Sequence, residues 1–222
     1  MAPAYDAVVF DNDGVLIEPT DRGRLARAVS EAFAAFDVTV DEACAREMVA
    51  ADAVPDGDFE REYGIDPARF WERREAVASE YQREAIRSGE KALYDDSDAV
   101  TALPHRTGLV SNNQHATIEF ILDYHDLGRH FETAYGRVPT IEGARRKKPD
   151  PSYIEAALDD LGTRSALYVG DSEKDVVAAQ RAGIDAAFVR RDHRADLDLS
   201  ATPTYEVADL YELADRLGVR IE

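Results

Sequence analysis

The chain has 222 residues and carries 45 acidic against 26 basic side chains, a formal net charge of −19. That length suits one large domain, or a core with a smaller insertion, and the negative field disfavours nonspecific binding to nucleic acid or anionic membrane. The single cysteine, Cys44, excludes an intramolecular disulfide framework and a multi-cysteine metal site. No apolar run is long enough to span a bilayer, and the start "MAPAYDAVVF" lacks the basic segment and apolar core of a secretion signal.

In chain order, "YDAVVF" (5–10) reads as a buried strand. Residues 21–36 place Leu25, Val29, Ala32, Phe33 and Phe36 at helical spacing. A second helical segment covers 41–51 around Cys44 and Met48, and "VPDGD" (54–58) interrupts the pattern. A long helix begins near Pro67, a proline suited to a first helical turn, and carries Phe70, Val77, Tyr81 and Ala85 on one side. Beyond residue 95 short apolar runs alternate with helical segments. The runs are "TGLVS" (107–111), "ETAYG" (132–136), "ALYVG" (166–170), "DAAFV" (185–189) and "PTYEV" (203–207). The helices fall near 114–123, 151–161, 173–182 and 208–217.

This alternation predicts an α/β fold, a Rossmann-like parallel sheet with helices on both faces. The first strand belongs with the later ones. Residues 1–17 and 93–222 are therefore expected to form the core domain, and 18–92 an inserted helical cap domain. In open α/β sheets ligands bind beyond the carboxyl ends of the strands. Asp11 and Asp13, then Ser111 and Asn112, then Asp171, stand at the ends of three separate strands and so should meet at one edge of the sheet.

Asp11 and Asp13 pose a physical problem. Alternate strand residues share a face, and two carboxylates held that close raise each other's pKa unless a cation intervenes. Taken alone, the pair could cap a turn, and Ser111–Asn112 could cap a helix. An EF-hand is excluded, because Val15 stands where an oxygen ligand is required and Leu16 where glycine is required.

Four patterns nevertheless occur in order: "DNDGVL" (11–16), "SN" (111–112), "KKPDP" (147–151) and "GDSEKD" (170–175). With them the chain resembles the haloacid dehalogenase-like hydrolase superfamily, in its phosphatase branch with a small helical cap, as in phosphoglycolate phosphatases. The resemblance implies a Mg²⁺-dependent hydrolase acting on a small-molecule phosphate ester through an aspartyl-phosphate, with neither nucleic acid nor membrane as partner. Asp11 would be the nucleophile, and Asp13 the proton donor to the leaving alcohol. Ser111, Asn112 and Lys148 would bind phosphate. Asp11, the main-chain carbonyl of Asp13, and Asp171 would hold the metal, with Asp175 behind them holding a metal-bound water or orienting Lys148. Lys147 is an alternative to Lys148, but the family's lysine directly precedes the proline.

Asp13 argues against dehalogenation, which needs no acid for the leaving group. A sugar phosphomutase of the same superfamily and a non-catalytic binding protein on this fold are the competing readings. Phosphonate cleavage calls for a cap lysine, and Lys91, alone in that region, is expected at the exit of the insertion rather than within it. Phe36, Phe70, Trp71 and Cys44 are expected to build the insertion's own core. His105, His115, His125, His130 and His193 lack metal-ligand spacing and read as surface or core residues. The acidic charge comes mainly from aspartate (26 Asp), and the basic charge from 22 Arg with only 4 Lys, a balance resembling proteins of salt-loving microbes. A cytoplasmic location is expected.

Overall fold

The computed structural model describes residues 5–221; the first four residues of the stretch read above for a secretion signal lie outside them. The first strand, β1 (Ala7–Phe10), is buried along its whole length. Four helices follow: α1 (Arg22–Ala34), α2 (Glu42–Ala50), α3 (Phe59–Tyr63) and α4 (Pro67–Arg87). The chain then continues through α5 (Ala99–Ala102), β2 (Arg106–Gln114), α6 (His115–Tyr124), β3 (Thr133–Arg137), α7 (Ile141–Arg145), α8 (Ser152–Leu161) and β4 (Ala166–Gly170). It ends with α9 (Glu173–Arg181), β5 (Asp185–Val189), β6 (Tyr205–Val207) and α10 (Leu210–Arg216).

All six strands are parallel, in the order β3-β2-β1-β4-β5-β6. Strand β1 is therefore central, and the connections leave it in opposite directions on its two sides. That reversal opens a crevice at its carboxyl end. The strands are near-continuous apolar runs because helices cover both faces. Val8, Phe10, Leu109, Leu167 and Val169 pack on one face with Val207 and Leu213. Ala7, Val9, Val110 and Tyr168 pack on the other with Ile154, Leu158 and Val176.

The helices between β1 and β2 have an apolar cluster of their own, built on Phe33, Phe59, Ile65 and Phe70, with Phe36 and Met48 against it. Three of the four start at aspartates whose carboxylates accept from helical N–H groups: Asp21 from Arg24, Asp41 from Cys44 and Asp66 from Arg69. The two chain segments that join this block to the sheet run side by side. Glu18 N–H donates to Ala92 O at 2.9 Å, and Tyr94 N–H to Leu16 O at 3.0 Å, with Ile17 bridged to Leu93.

Three differences from the sequence reading have local causes. Strand β2 runs on to Gln114, so Ser111 and Asn112 lie inside it and Gln114 caps α6. Helices α3, α5 and α7 have only four or five residues, too few for a periodicity to show. The helix expected at Asp150-Pro151 begins at Ser152, whose N–H donates to the Asp150 carboxylate at 2.9 Å. No helix among the described residues is long and apolar enough to cross a membrane.

Candidate active site

Beyond Phe10 the chain turns sharply, and Asp11, Asn12 and Asp13 emerge at the crevice. Gly14 makes this turn with φ +83°, a conformation that costs side-chain-bearing residues energy. A methyl group there would sit 2.4 Å from Asp171 Oδ2, so the close approach also demands glycine.

Asp11 is buried, and its Oδ1 accepts from Asn12 N–H at 2.7 Å and pairs with Lys148 Nζ at 3.0 Å. Lys148, 2 % exposed, also reaches Asp175 Oδ1 at 2.7 Å, and it donates to Tyr168 Oη at 2.6 Å and Val110 O at 3.2 Å. The ammonium thus stands between two carboxylates. Asp175 is held in turn by the capping box of α9, its Oδ2 accepting from Ser172 N–H at 3.0 Å and from Ser172 Oγ at 2.6 Å. Asn112 grips the Lys148 backbone from both sides, accepting from its N–H at 2.7 Å and donating to its carbonyl at 3.0 Å. A phosphate-binding backbone N–H is expected of Asn112, and its side chain proves to be a brace for Lys148. Ser111, 2 % exposed, lines the same cavity as Asp11 and Asp13.

Oxygens of Asp11, Asp171 and Asp175 come within 4.8 Å of one another, all three side chains buried. Burial first of all, and then the charges of Asp175 and Asp171, push the Asp11 carboxyl up to about 7, with Lys148 opposing the rise. Lys148 itself resists the loss of its proton that burial favours, because Asp11 and Asp175 hold it well above its ordinary value. The expected site residues Asp11, Asp171, Asp175 and Lys148 therefore meet, and Lys147 goes elsewhere. Its Nζ pairs with Asp52 at 2.6 Å, and Asp52 also takes Lys174 at 3.0 Å.

Asp13 lies in a second network. Its Oδ2 accepts from Asn113 Nδ2 at 2.8 Å and Asn12 Nδ2 at 3.2 Å, and its Oδ1 from Thr20 Oγ1 at 3.0 Å and from Lys91 Nζ. Burial works to raise the Asp13 carboxyl, but Lys91, Asn113 and Thr20 together hold it below its ordinary value.

Lys91 corrects the sequence reading. It does lie at the exit of the helical block, yet it is 3 % exposed and turned into the site. Trp71 is a second correction. It takes no part in the aromatic cluster of Phe33, Phe59 and Phe70. It lines the cavity beside Asp11 and Asp13, with the guanidinium of Arg74 at 5.0 Å and that of Arg137 at 5.5 Å from its ring. His193 is a third. Its Nε2 lies 2.7 Å from Asp171 Oδ2, which also accepts from Arg194 Nε at 3.0 Å.

A signal for some of these was present. The chain has four lysines, and every one ends on a carboxylate around this crevice or the loop above it: Lys91 on Asp13, Lys148 on Asp11 and Asp175, Lys147 and Lys174 on Asp52. In so lysine-poor a chain, that scarcity itself marked the positions.

Residues 5–183 match the family model for haloacid dehalogenase-like hydrolases. The chain belongs to this family. It is 25 % identical to pyrophosphatase PpaX of Bacillus velezensis over 96 % of this chain and 97 % of that protein. It is 28 % identical to phosphoglycolate phosphatase of Photorhabdus laumondii over 80 % of this chain and 76 % of that one. In fold it is similar to CbbY from Rhodobacter sphaeroides, solved in complex with phosphate, with a TM-score of 0.70 and 20 % identity over 97 % of this chain and all of that one.

Proposed function

We propose that this family member is a Mg²⁺-dependent phosphomonoester hydrolase for small phosphorylated metabolites, working through a phosphoryl group carried on Asp11. One observation carries the reading: a buried carboxylate at the end of the central strand, with a buried ammonium 3.0 Å away and two further carboxylates beside it.

The donor set fits a hard divalent cation, since it is all oxygen; burial first, and then the Asp175 and Asp171 charges, lift Asp11 to about 7 despite Lys148, and a cation there would offset both. Asp11, Asp171 and the main-chain carbonyl of Asp13 would hold Mg²⁺. Both Asp175 oxygens are already engaged, by Lys148 and by Ser172, which suits a supporting place behind them. When bound, the ion supplies positive charge at the transferring phosphoryl group.

Asp11 attacks phosphorus; a phosphorus–carboxylate bond forms as the bond to the ester oxygen breaks, and Asp13, ionised in the unliganded site, relays to that oxygen the proton that the ester brings as its monoanion. Water then attacks the same phosphorus, Asp13 takes its proton, and Asp11 is released. Lys148 and Ser111 place a charge and a hydroxyl where the phosphoryl oxygens gather. Asn112 serves through its hold on Lys148.

The cavity between the helical block and the sheet edge is about 210 Å³, which suits a small leaving group. Its wall carries the cationic groups of Arg74, Arg137 and Lys147, of which Arg74 and Arg137 share the single carboxylate of Glu75. In a chain of net charge −19 this supports a leaving group that is itself anionic. Two relatives are named for pyrophosphate and phosphoglycolate, compounds with such a second anionic group. Because the phosphate-binding residues lie in the α/β part of the chain, discrimination among esters falls to residues 18–92, acting as a cap domain over the site.

The test is phosphate release with and without Mg²⁺ from 4-nitrophenyl phosphate, glycerol phosphate, phosphoglycolate and pyrophosphate. Release that needs Mg²⁺ and favours the last two over glycerol phosphate is expected; no Mg²⁺-dependent release from any of them refutes the proposal.

Asp13→Asn gives a sharper test of roles. General acid catalysis contributes about 10²–10⁴-fold, and an alkoxide needs the proton far more than a nitrophenolate does. Turnover of glycerol phosphate should therefore fall at least tenfold further than that of 4-nitrophenyl phosphate. Equal losses on the two would remove Asp13 from the role of acid.

A further inference from the structure

Lys91 is buried at the hinge of the helical block, and its ammonium has three donors to place. They go to three acceptors on three separate segments. Asp13 Oδ1 belongs to the loop after β1, Thr20 Oγ1, at 2.7 Å, to the segment entering the helical block, and Gln82 Oε1, at 3.1 Å, to α4. Its own backbone N–H closes the carboxyl end of α4, donating to Ala85 O at 3.1 Å. Gln82 continues the chain of contacts back to the sheet, donating to Asn113 Oδ1 at 3.0 Å and Gln114 Oε1 at 3.1 Å. Asn113 in turn donates to Asp13 Oδ2 at 2.8 Å. The Asp13 carboxylate is thus gripped from the hinge on one oxygen and from the end of β2 on the other.

We propose that Lys91 is a positioning residue, which aims the Asp13 carboxylate at the leaving-group oxygen and ties that aim to the seating of the helical block. The proposal rests on the reading of Asp13 as proton donor to the leaving group. A fully satisfied ammonium on a short hinge has one arrangement available, and an error of about 1 Å in a reacting group can cost on the order of 10²-fold in rate. If the helical block shifts about its two connecting segments, Thr20, Gln82 and Lys91 shift with it, and Asp13 loses its aim. Two neighbouring groups share part of this network without its charge: Thr20 donates to Asp13 Oδ1 at 3.0 Å and to Gln82 Oε1 at 2.8 Å, and Asn113 to Asp13 Oδ2 at 2.8 Å and to Gln82 Oε1 at 2.6 Å.

The experiment is a mutant cycle on Lys91→Met and Asp13→Asn, with glycerol phosphate and 4-nitrophenyl phosphate as substrates and phosphate inhibition and circular dichroism as controls. Lys91→Met is expected to lower kcat for glycerol phosphate by about 10²-fold and for 4-nitrophenyl phosphate by less than tenfold, with phosphate inhibition unchanged. The double variant should be no worse than Asp13→Asn alone, because two residues acting as a unit do not lose activity multiplicatively. Equal losses on both substrates, or multiplying losses in the double variant, overturn the proposal while leaving the role of Asp13 intact. If Asp13→Asn itself shows no preference between leaving groups, both readings fall together. Lys91→Gln, neutral but still able to donate, repeats the cycle should the methionine variant not fold. If neither variant folds, Lys91 is a structural residue of the hinge and the proposal fails.

Discussion

Asp11→Asn should abolish turnover while the protein stays folded. The change is nearly isosteric, and the oxygen that accepts from Asn12 N–H and meets Lys148 has a counterpart in the amide. An amide cannot act as the nucleophile of a double displacement. The loss should reach several orders of magnitude, about 5 kcal/mol or more of barrier. Stability should change in the opposite direction. Burial and two neighbouring carboxylates hold the Asp11 carboxyl at about 7, so the ionised group opposes folding at neutral pH. A carboxyl whose folded pKa is raised contributes stability that is present at acid pH and lost as pH rises through the folded value. Without added metal, the variant should therefore melt no lower than the parent at pH 8, and should lose part of the parent's decline in stability between about pH 4 and 7. Phosphate release in a clean preparation and thermal melts across that range check both halves. Activity retained above a few per cent would refute Asp11 as nucleophile.

Lys148→Met should damage both activity and stability. The ammonium is 2 % exposed and stands between Asp11 and Asp175 at 3.0 and 2.7 Å. Methionine fills a similar volume but leaves two buried carboxylates without their cation, and breaking a buried pair in this way costs about 3–5 kcal/mol. For a chain of this size that corresponds to a melting temperature lower by roughly 10 °C. Activity should fall by a hundredfold or more, since removing one electrostatic donor from a transition state typically costs about 10²–10³-fold. Lys147→Met is the matched control. Its partner Asp52 is about half exposed and also holds Lys174, so the pair is worth at most about 1 kcal/mol. A melt of Lys147→Met as depressed as that of Lys148→Met would mean the two lysines had been assigned the wrong way round.

The sheet was legible in the sequence because its signals are short-range. A strand covered on both faces is an unbroken apolar run, as in "AVVF", "ALYVG" and "DAAFV", and these are β1, β4 and β5. Once the strands are parallel, the residues at and just beyond their carboxyl ends share an edge, so Asp11, Ser111 and Asp171 are placed near one another before any distance is known. The family resemblance carried by "KKPDP" and "GDSEKD" placed Lys148 and Asp175 in this group. Their meeting needs the fold, and its 2.7 Å contact rests on a capping box that orients Asp175 and on Asn112 gripping the Lys148 backbone.

What the sequence alone determined was the alternation of strands and helices and the chemical character of each strand end. Both are encoded within a few neighbouring residues. The tertiary structure decided which side chains from the helical block enter the site. Lys91 is 78 positions from Asp13, and Arg137 is 62 from its partner Glu75. No periodicity links such pairs; they meet because the hinge segments cross at Ile17 and Leu93 and α4 lies against α6, where Ser79 and Thr117 are 2.7 Å apart. Trp71 shows the same limit on local reading. Its neighbour Phe70 packs inside the helical cluster, while Trp71, about 100° further round α4, faces the crevice beside Asp11 and Asp13. Helical spacing states only that the two point in different directions. Which of them meets the helical cluster and which the crevice is fixed by how the whole block is seated on the sheet.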